Sequence, residues 1–260
     1  MKSRNIQRKM KKAIWKNCIA WASTIAALIV IWIAACYIVG NDLLVPSFSD
    51  CLKKLGALLL SGEFWAAFFF TVKRVLIAFL ISFVFAAFFA VIADMVPWFS
   101  LFFTPLVSFL RSLPTLAVLL ILLVWAGAST APIAVAFLSL FPSLYAGFRA
   151  ALTGVDKDLV EMSRAFKVPM KKRIFSLYIP SAAPIALKEA GAALAFAVKL
   201  VVSAEVLANT FKSLGGLMQE AKLYLDMPML FALVCVTFLL GLLLEALGAL
   251  AGKMIERRWK

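Results

Sequence analysis

At 260 residues, 64% hydrophobic and only 15% charged, the chain is far more apolar than a soluble domain, where about 45–50% of residues are apolar and about 25% charged. One compact core cannot hide that excess. A soluble enzyme, a disordered chain and a secreted disulfide scaffold are excluded, and an integral membrane protein is implied. The formal net charge of +14 raises nucleic acid as a partner, but the distribution of the charge argues against it.

Residues 1–17 form a basic N-terminal segment. Cys18 to Val39 is uncharged and long enough for a first span, since a crossing needs about 20 apolar residues. Ile33-Ala34-Ala35-Cys36 looks like a lipoprotein cleavage box, yet the apolar run exceeds the ~7–15 residues of a signal core and is read as a span. Leu44-Val45-Pro46-Ser47 follows. The second span is placed at 68–93, with Lys73 and Arg74 near its start in Thr71-Val72-Lys73-Arg74-Val75-Leu76. Its phenylalanine stripe, Phe68 to Phe89, is expected to face lipid.

Ser112 to Phe148 is uncharged and too long for one crossing. Gly127-Ala128-Ser129-Thr130-Ala131-Pro132 is a turn signal with proline placed to open the next helix. It gives a tight hairpin of spans three (105–126) and four (131–149). Pro105 and Pro114 are expected to kink or break span three. Arg111 and Pro114 are candidate pathway or gate residues, an interfacial anchor being the equal alternative for Arg111.

The segment 150–180 is polar and patterned. Asp156 or Asp158 can cap a helix, and Asp158 to Glu161 has capping-box spacing. Leu159, Met162 and Phe166 then form a short apolar stripe, and Pro169 keeps Val168 out of the helix. Such a helix suits a groove on a partner protein or the lipid surface.

Span five is placed at 184–206 and span six at 228–250, within a single transmembrane domain, 18–251; 252–260 is a basic tail. An ionisable side chain inside a span costs about 2.5–3.5 kcal/mol on insertion scales, so it faces a cavity or a partner. Lys199 either lines a pathway and attracts an anion or pairs with Glu245, the pairing being preferred because intramembrane charges most often find partners. Glu205 is read as a solvated helix end, with an outer gate as the alternative. Ala186 and Ala190, Gly191 and Ala195, and Gly248 and Gly252 have the spacing of close helix contacts, within the chain or across a dimer. The 207–227 segment, with Gly215-Gly216, is read as a connecting loop in preference to a short surface or re-entrant helix touching a partner protein.

Of the 27 basic residues, twenty fall in segments that this six-span arrangement puts on one side: seven before Cys18, Arg111, eight from Arg149 to Lys188, and four from Lys253 onward. Cytoplasmic loops are enriched in Lys and Arg, so both termini and the 150–187 segment are expected in the cytoplasm. Nucleic acid is therefore not an expected partner; membrane lipid is. The absence of histidine removes His-based metal sites and Ser-His or Cys-His catalysis. The one approach to a phosphate loop, Gly248 to Lys253, is a residue short and is followed by Met254 instead of Ser or Thr. No catalytic residue, metal or cofactor is expected in this chain.

Glu161-Met162-Ser163-Arg164-Ala165-Phe166-Lys167, with Ile179-Pro180 further on, resembles the EAA loop of permease subunits of bacterial ABC importers. Met162 and Ser163 stand for the two alanines. Lys167 stands at the family's glycine, where a left-handed turn costs a non-glycine residue about 1–2 kcal/mol. Leu44 to Ser47, Thr71 to Leu76, Leu110-Arg111-Ser112-Leu113-Pro114-Thr115, Trp125-Ala126-Gly127, Phe141-Pro142-Ser143 and Ala204-Glu205 are similar to the branch serving nitrate, sulfonate and taurine. The resemblance covers roughly 44–258. It implies an all-α membrane permease with six transmembrane helices, both termini cytoplasmic, and one coupling helix between spans four and five. Leu159, Glu161, Met162, Ser163, Arg164, Phe166, Lys167 and Pro169 would then engage the ATPase. It also implies a location in the bacterial inner membrane. The implied partners are two ATPase subunits holding ATP and magnesium, a second permease copy (a homodimer rather than a heterodimer), and an extracytoplasmic binding protein delivering a small anion or vitamin precursor. The alternatives are the coupling subunit of a vitamin importer with a membrane-embedded binding protein, and an ion-coupled secondary carrier, which usually shows internal repeats.

Overall fold

The computed structural model describes residues 23–24, 26–27, 29–41 and 43–259; the side chains at 157, 164, 170, 171, 175 and 255–259 lie outside that description. The expected basic segment 1–17 and the start of span one lie outside it as well. Among the described residues every regular element is helical, as the all-α expectation required. The chain divides into two compact units, 1–58 with 221–232, and 59–220 with 233–260.

In the first unit, α1 (Ile29–Val39) is followed by a turn and α2 (Phe48–Leu59). Trp32 Nε1 donates to the Pro46 carbonyl at 3.1 Å, and its ring packs edge-on to Phe48 and against Phe231. Ser47 caps α2: its Oγ accepts from the Asp50 amide and its hydroxyl donates to the Asp50 carboxylate. The hydrogen bond from Lys53, then that from Ser47, holds the Asp50 carboxyl below its ordinary range. Lys54 pairs with Asp226.

The second unit holds α3 (Gly62–Met95), α4 (Pro97–Ser112), α5 (Thr115–Thr153), α6 (Lys157–Ala165), α7 (Met170–Arg173) with a π turn at Ile174–Tyr178, and α8 (Ile179–Ala208). It also holds most of α9 (Leu214–Leu223) and of α10 (Met227–Trp259). Helices α3, α5 and α8 pack on one another. The reason is written on α3: Ala67, Thr71, Val75, Ala78, Ser82, Ala86, Ala90 and Ala93 recur every three or four residues, and all are buried. In hydrocarbon no hydrophobic force joins helices, and small side chains that let backbones approach take its place. The phenylalanine stripe divides accordingly. Phe69, Phe70, Phe85 and Phe88 are exposed and Phe79 is buried. Phe83 and Phe89 turn inward to pack on Phe148 and Phe103. The expectation of a wholly lipid-facing stripe is corrected to that extent.

Among the described residues, four helices are long and apolar enough to cross a membrane, at 62–95, 115–153, 176–208 and 227–254. The longest is two helices. Gly127 has φ 73° and ψ 167°, a region that is essentially glycine's alone. Leu119 shares a buried cluster with Ala131 and Val135, residues that a straight helix would hold about 18 and 24 Å away. The chain therefore folds back at Gly127. Upstream, the stretch expected as span three, 105–126, is divided at Leu113, which is extended because the ring of Pro114 disfavours a helical residue before it. Pro105 lies inside α4.

Helices α8 and α10 run antiparallel and touch through backbone. A Cβ on Gly248 would lie 2.3 Å from the Gly191 Cα, and one on Gly252 would meet Leu187 and Lys188. The glycine spacing noted in the sequence thus makes its contact within the chain.

Candidate functional site

Three places bring the sequence-derived residues together. The first is α6. The Asp156 carboxylate accepts from the Asp158 amide, so of the two candidate caps it is Asp156 that opens the helix. At the other end the Val168 amide donates to the Ser163 carbonyl at 3.0 Å across Lys167, whose φ is 51°. This is the six-to-one bond of a Schellman cap. Lys167 takes the left-handed conformation that glycine would take, at a cost. Lys167→Gly is expected to stabilise the cap by about 1 kcal/mol, read as raised amide-exchange protection at Val168 with no change elsewhere.

Between these caps Leu159, Met162 and Phe166 are 41, 54 and 77% exposed. Glu161 lines a cavity of about 560 Å³ with Asp94, Arg173 and Tyr178. Ser163 is half-buried, its hydroxyl donating to the Val160 carbonyl, and Pro169 is exposed. The Arg164 side chain lies outside the described residues. The chain returns through the π turn, where the Ile179 amide bonds to the Ile174 carbonyl. The wider turn accommodates Pro180, which has no N–H to donate and whose ring crowds the preceding turn. Close by, Arg149 joins Asp94 at 2.9 Å and reaches Ser100.

The second place surrounds Glu205. It is not a solvated helix end: its residue is 0% exposed. Thr71 Oγ1 lies 2.9 and 3.1 Å from its two carboxylate oxygens, Arg74 Nη1 donates at 3.1 Å, and the Gly215 amide lies at 3.3 Å. Thr71 Oγ1 in turn accepts from the Leu214 amide. A carboxylate so far from water needs its lone pairs filled by donors and its charge met by a cation. All three elements contribute: α3 through Thr71 and Arg74, α8 through Glu205, α9 through its first amides.

The segment read as a connecting loop is α9, with Leu214, Leu217 and Met218 buried. That expectation is corrected. Gly215 and Gly216 suggested a break, but they serve close approach. A Cβ on Gly215 would lie 2.4 Å from the Glu205 Cβ, and one on Gly216 2.3 Å from the Thr210 carbonyl oxygen. Ser213 caps the helix, accepting from Gly216. Ahead of it Asn209 ends α8 in the left-handed region, and Thr210 donates to the Ala128 carbonyl beside the Gly127 turn. Thr71, Arg74 and Gly215 were not singled out as site residues. Thr71 and Arg74 lie within the quoted Thr71 to Leu76 motif, which the Ala204-Glu205 motif meets, and Gly215 lies in the Gly215-Gly216 pair.

The third place is a cavity of about 410 Å³ lined by α8, α10 and Met218, and it contains Lys199 and Glu245. Among the described residues no ion pair joins them. Both are exposed, as are Arg111 and Pro114, which the structure brings to none of these places.

Residues 82–260 match the family described as the binding-protein-dependent transport system inner membrane component. The chain belongs to this family. It is the membrane permease component of an ABC importer, and ATP is hydrolysed by separate ATPase subunits. The permease is 28% identical over 217 residues to a probable ABC transporter permease protein of Brucella melitensis, covering 82% of this chain and 87% of the relative. A Brucella abortus counterpart matches at 28% over 82% of this chain and 85% of its own. In fold it is similar to an amino acid ABC transporter crystallised with histidines (TM-score 0.60, 18% identity, 80% of this chain and 96% of that one). It is also similar to the inward-facing MetNI methionine ABC transporter (TM-score 0.56, 21% identity, 78% and 96%).

Proposed function

We propose that this permease forms, with a second copy, the pathway of a bacterial inner-membrane importer. Two ATPase subunits drive it and an extracytoplasmic binding protein supplies it with a sulfonate, nitrate, a taurine-like solute or a vitamin precursor. Helix α6 is the segment on which the ATPases act. The observation that carries this reading is a short helix capped at both ends that keeps Leu159, Met162 and Phe166 exposed. Such a stripe fits a hydrophobic groove on a partner. The excess of Lys and Arg around it supports a cytoplasmic position. ATP-driven closure of the ATPases moves α6, and the permease pair passes between two packed states biased by the nucleotide.

Met162→Asp and Phe166→Asp, singly and together, are expected to abolish ATP-dependent uptake and co-purification of the ATPase. The thermal midpoint of the isolated permease should stay put, since exposed substitutions generally cost less than about 0.5 kcal/mol. Uptake and co-purification at wild-type levels in the double variant would sink the reading.

A further inference from the structure

The cavity between α8 and α10 holds two charges that the fold leaves unused. Its walls are largely apolar, with Val202, Phe238 and Leu242 among them, and Lys199 and Glu245 stand on opposite walls. Both belong to helices long and apolar enough to span a membrane. Among the described residues neither makes a hydrogen bond or ion pair. Charges inside a span face a water-filled cavity or pair with a partner, and a pair of opposite charges left unpaired in one cavity marks a candidate solute site.

The helix geometry explains why they do not neutralise each other. Gly191 against Gly248 fixes the antiparallel register. Lys199 lies about 12 Å beyond that contact along the axis and Glu245 about 4.5 Å, an offset of about 7–8 Å at 1.5 Å per residue. Ser203, one turn on from Lys199, lines the same cavity. The Thr237 hydroxyl donates to the Leu233 carbonyl, which leaves its oxygen free to accept.

We propose that this cavity binds a small zwitterion, its acid group at Lys199 and Ser203 and its protonated amine at Glu245 and Thr237. The proposal rests on the transport function above and narrows its solute class. A simple anion would meet the like charge of Glu245, and a simple cation that of Lys199. Only a solute carrying both signs satisfies both walls, and its carbon skeleton takes the apolar surface between them. The volume lies toward the lower end of small-molecule sites, which run from about 300 to 1,000 Å³.

The test uses the assembled transporter (permease, ATPase and binding protein) in proteoliposomes. The probes are radiolabelled taurine and isethionate, two-carbon sulfonates that differ in carrying an amine or a hydroxyl. Wild type is expected to import taurine in preference. Lys199→Gln should lower uptake of both probes about ten-fold or more. Glu245→Gln should lower taurine uptake alone and so erase the preference. ATPase association and thermal midpoint should be unchanged in both variants. The proposal is overturned if wild type shows no preference or imports neither probe, or if either variant transports as wild type does. It is equally overturned if both variants lose thermal stability or assembly together, the mark of a structural ion pair or of a contact with the second copy. Loss of ATPase association in wild type itself would instead strike the transport reading.

Discussion

Glu205→Ala is expected to lower the stability of the permease by about 3–5 kcal/mol, the range for removing one partner of a buried ion pair. The loss arises because Arg74, 8% exposed, keeps its charge with no counter-charge, while Thr71 and the Gly215 amide lose their acceptor. Arg74→Ala should cost a similar amount by stranding the carboxylate. Glu205→Gln should fall between, because the amide oxygen still accepts from Thr71 or Gly215. The double variant Arg74→Met with Glu205→Leu removes both charges and should recover much of the loss. Thermal unfolding of the detergent-purified permease reads all four. Two single variants within about 1 kcal/mol of wild type would show that the pair does not hold α3, α8 and α9 together. Amide exchange at Leu214 and Gly215 should rise in the Glu205 variants before it rises elsewhere, since the carboxylate and Thr71 hold those two amides.

Gly248→Leu should be nearly as severe. A Cβ at this position would sit 2.3 Å from a backbone carbon of Gly191, and backbone, unlike the tip of a flexible side chain, cannot rotate out of the way. Helices α8 and α10 must part. Overpacking of this kind costs about 1–3 kcal/mol and occasionally more; Gly248→Ala should fall in that range and Gly248→Leu above it. Gly241 is the control on the same helix: its Cβ would have its nearest neighbour at 4.0 Å, so Gly241→Ala should be neutral or mildly stabilising. Uptake is expected to fail in step with stability for the Gly248 variants, because α10 forms one wall of the cavity that holds Lys199. A Gly248→Leu permease that folds and transports normally would refute the close crossing.

Much of this was legible from residue order alone. Apolar runs, prolines and the Lys and Arg bias outlined the spans. Gly127 ahead of Pro132 gave the turn, and the spacing of Leu159, Met162 and Phe166 gave α6 with its apolar face. What escaped was tertiary. Gly215-Gly216 reads locally as a helix breaker, and only the nearness of the Glu205 Cβ shows that these residues must be glycine for α9 to seat. Arg74, near the expected start of a span, looked like a charge at a helix end until Glu205, remote in sequence, was seen to reach it. The small-residue stripe of α3 was overshadowed by its phenylalanines, which dominate hydropathy but not packing. Lys167 shows the reverse: the residue argued against a left-handed turn, and the six-to-one cap bond imposed it.

The Arg74–Glu205 bond spans 131 residues of chain, and a ribosome makes the two ends in order. Arg74 enters the bilayer first, inside the most apolar of the four long helices, whose best window has a mean hydropathy of 3.0. An arginine costs about 2.5–3.5 kcal/mol at a helix centre on insertion scales, and Arg74, beside Lys73, stands just ahead of the uncharged run that starts at Val75. Glu205 arrives later on the least apolar of the four, with a window of 1.8, into a membrane where its cation already waits. The more hydrophobic helix carries the charge that is made first, and the less hydrophobic one carries the charge that meets it.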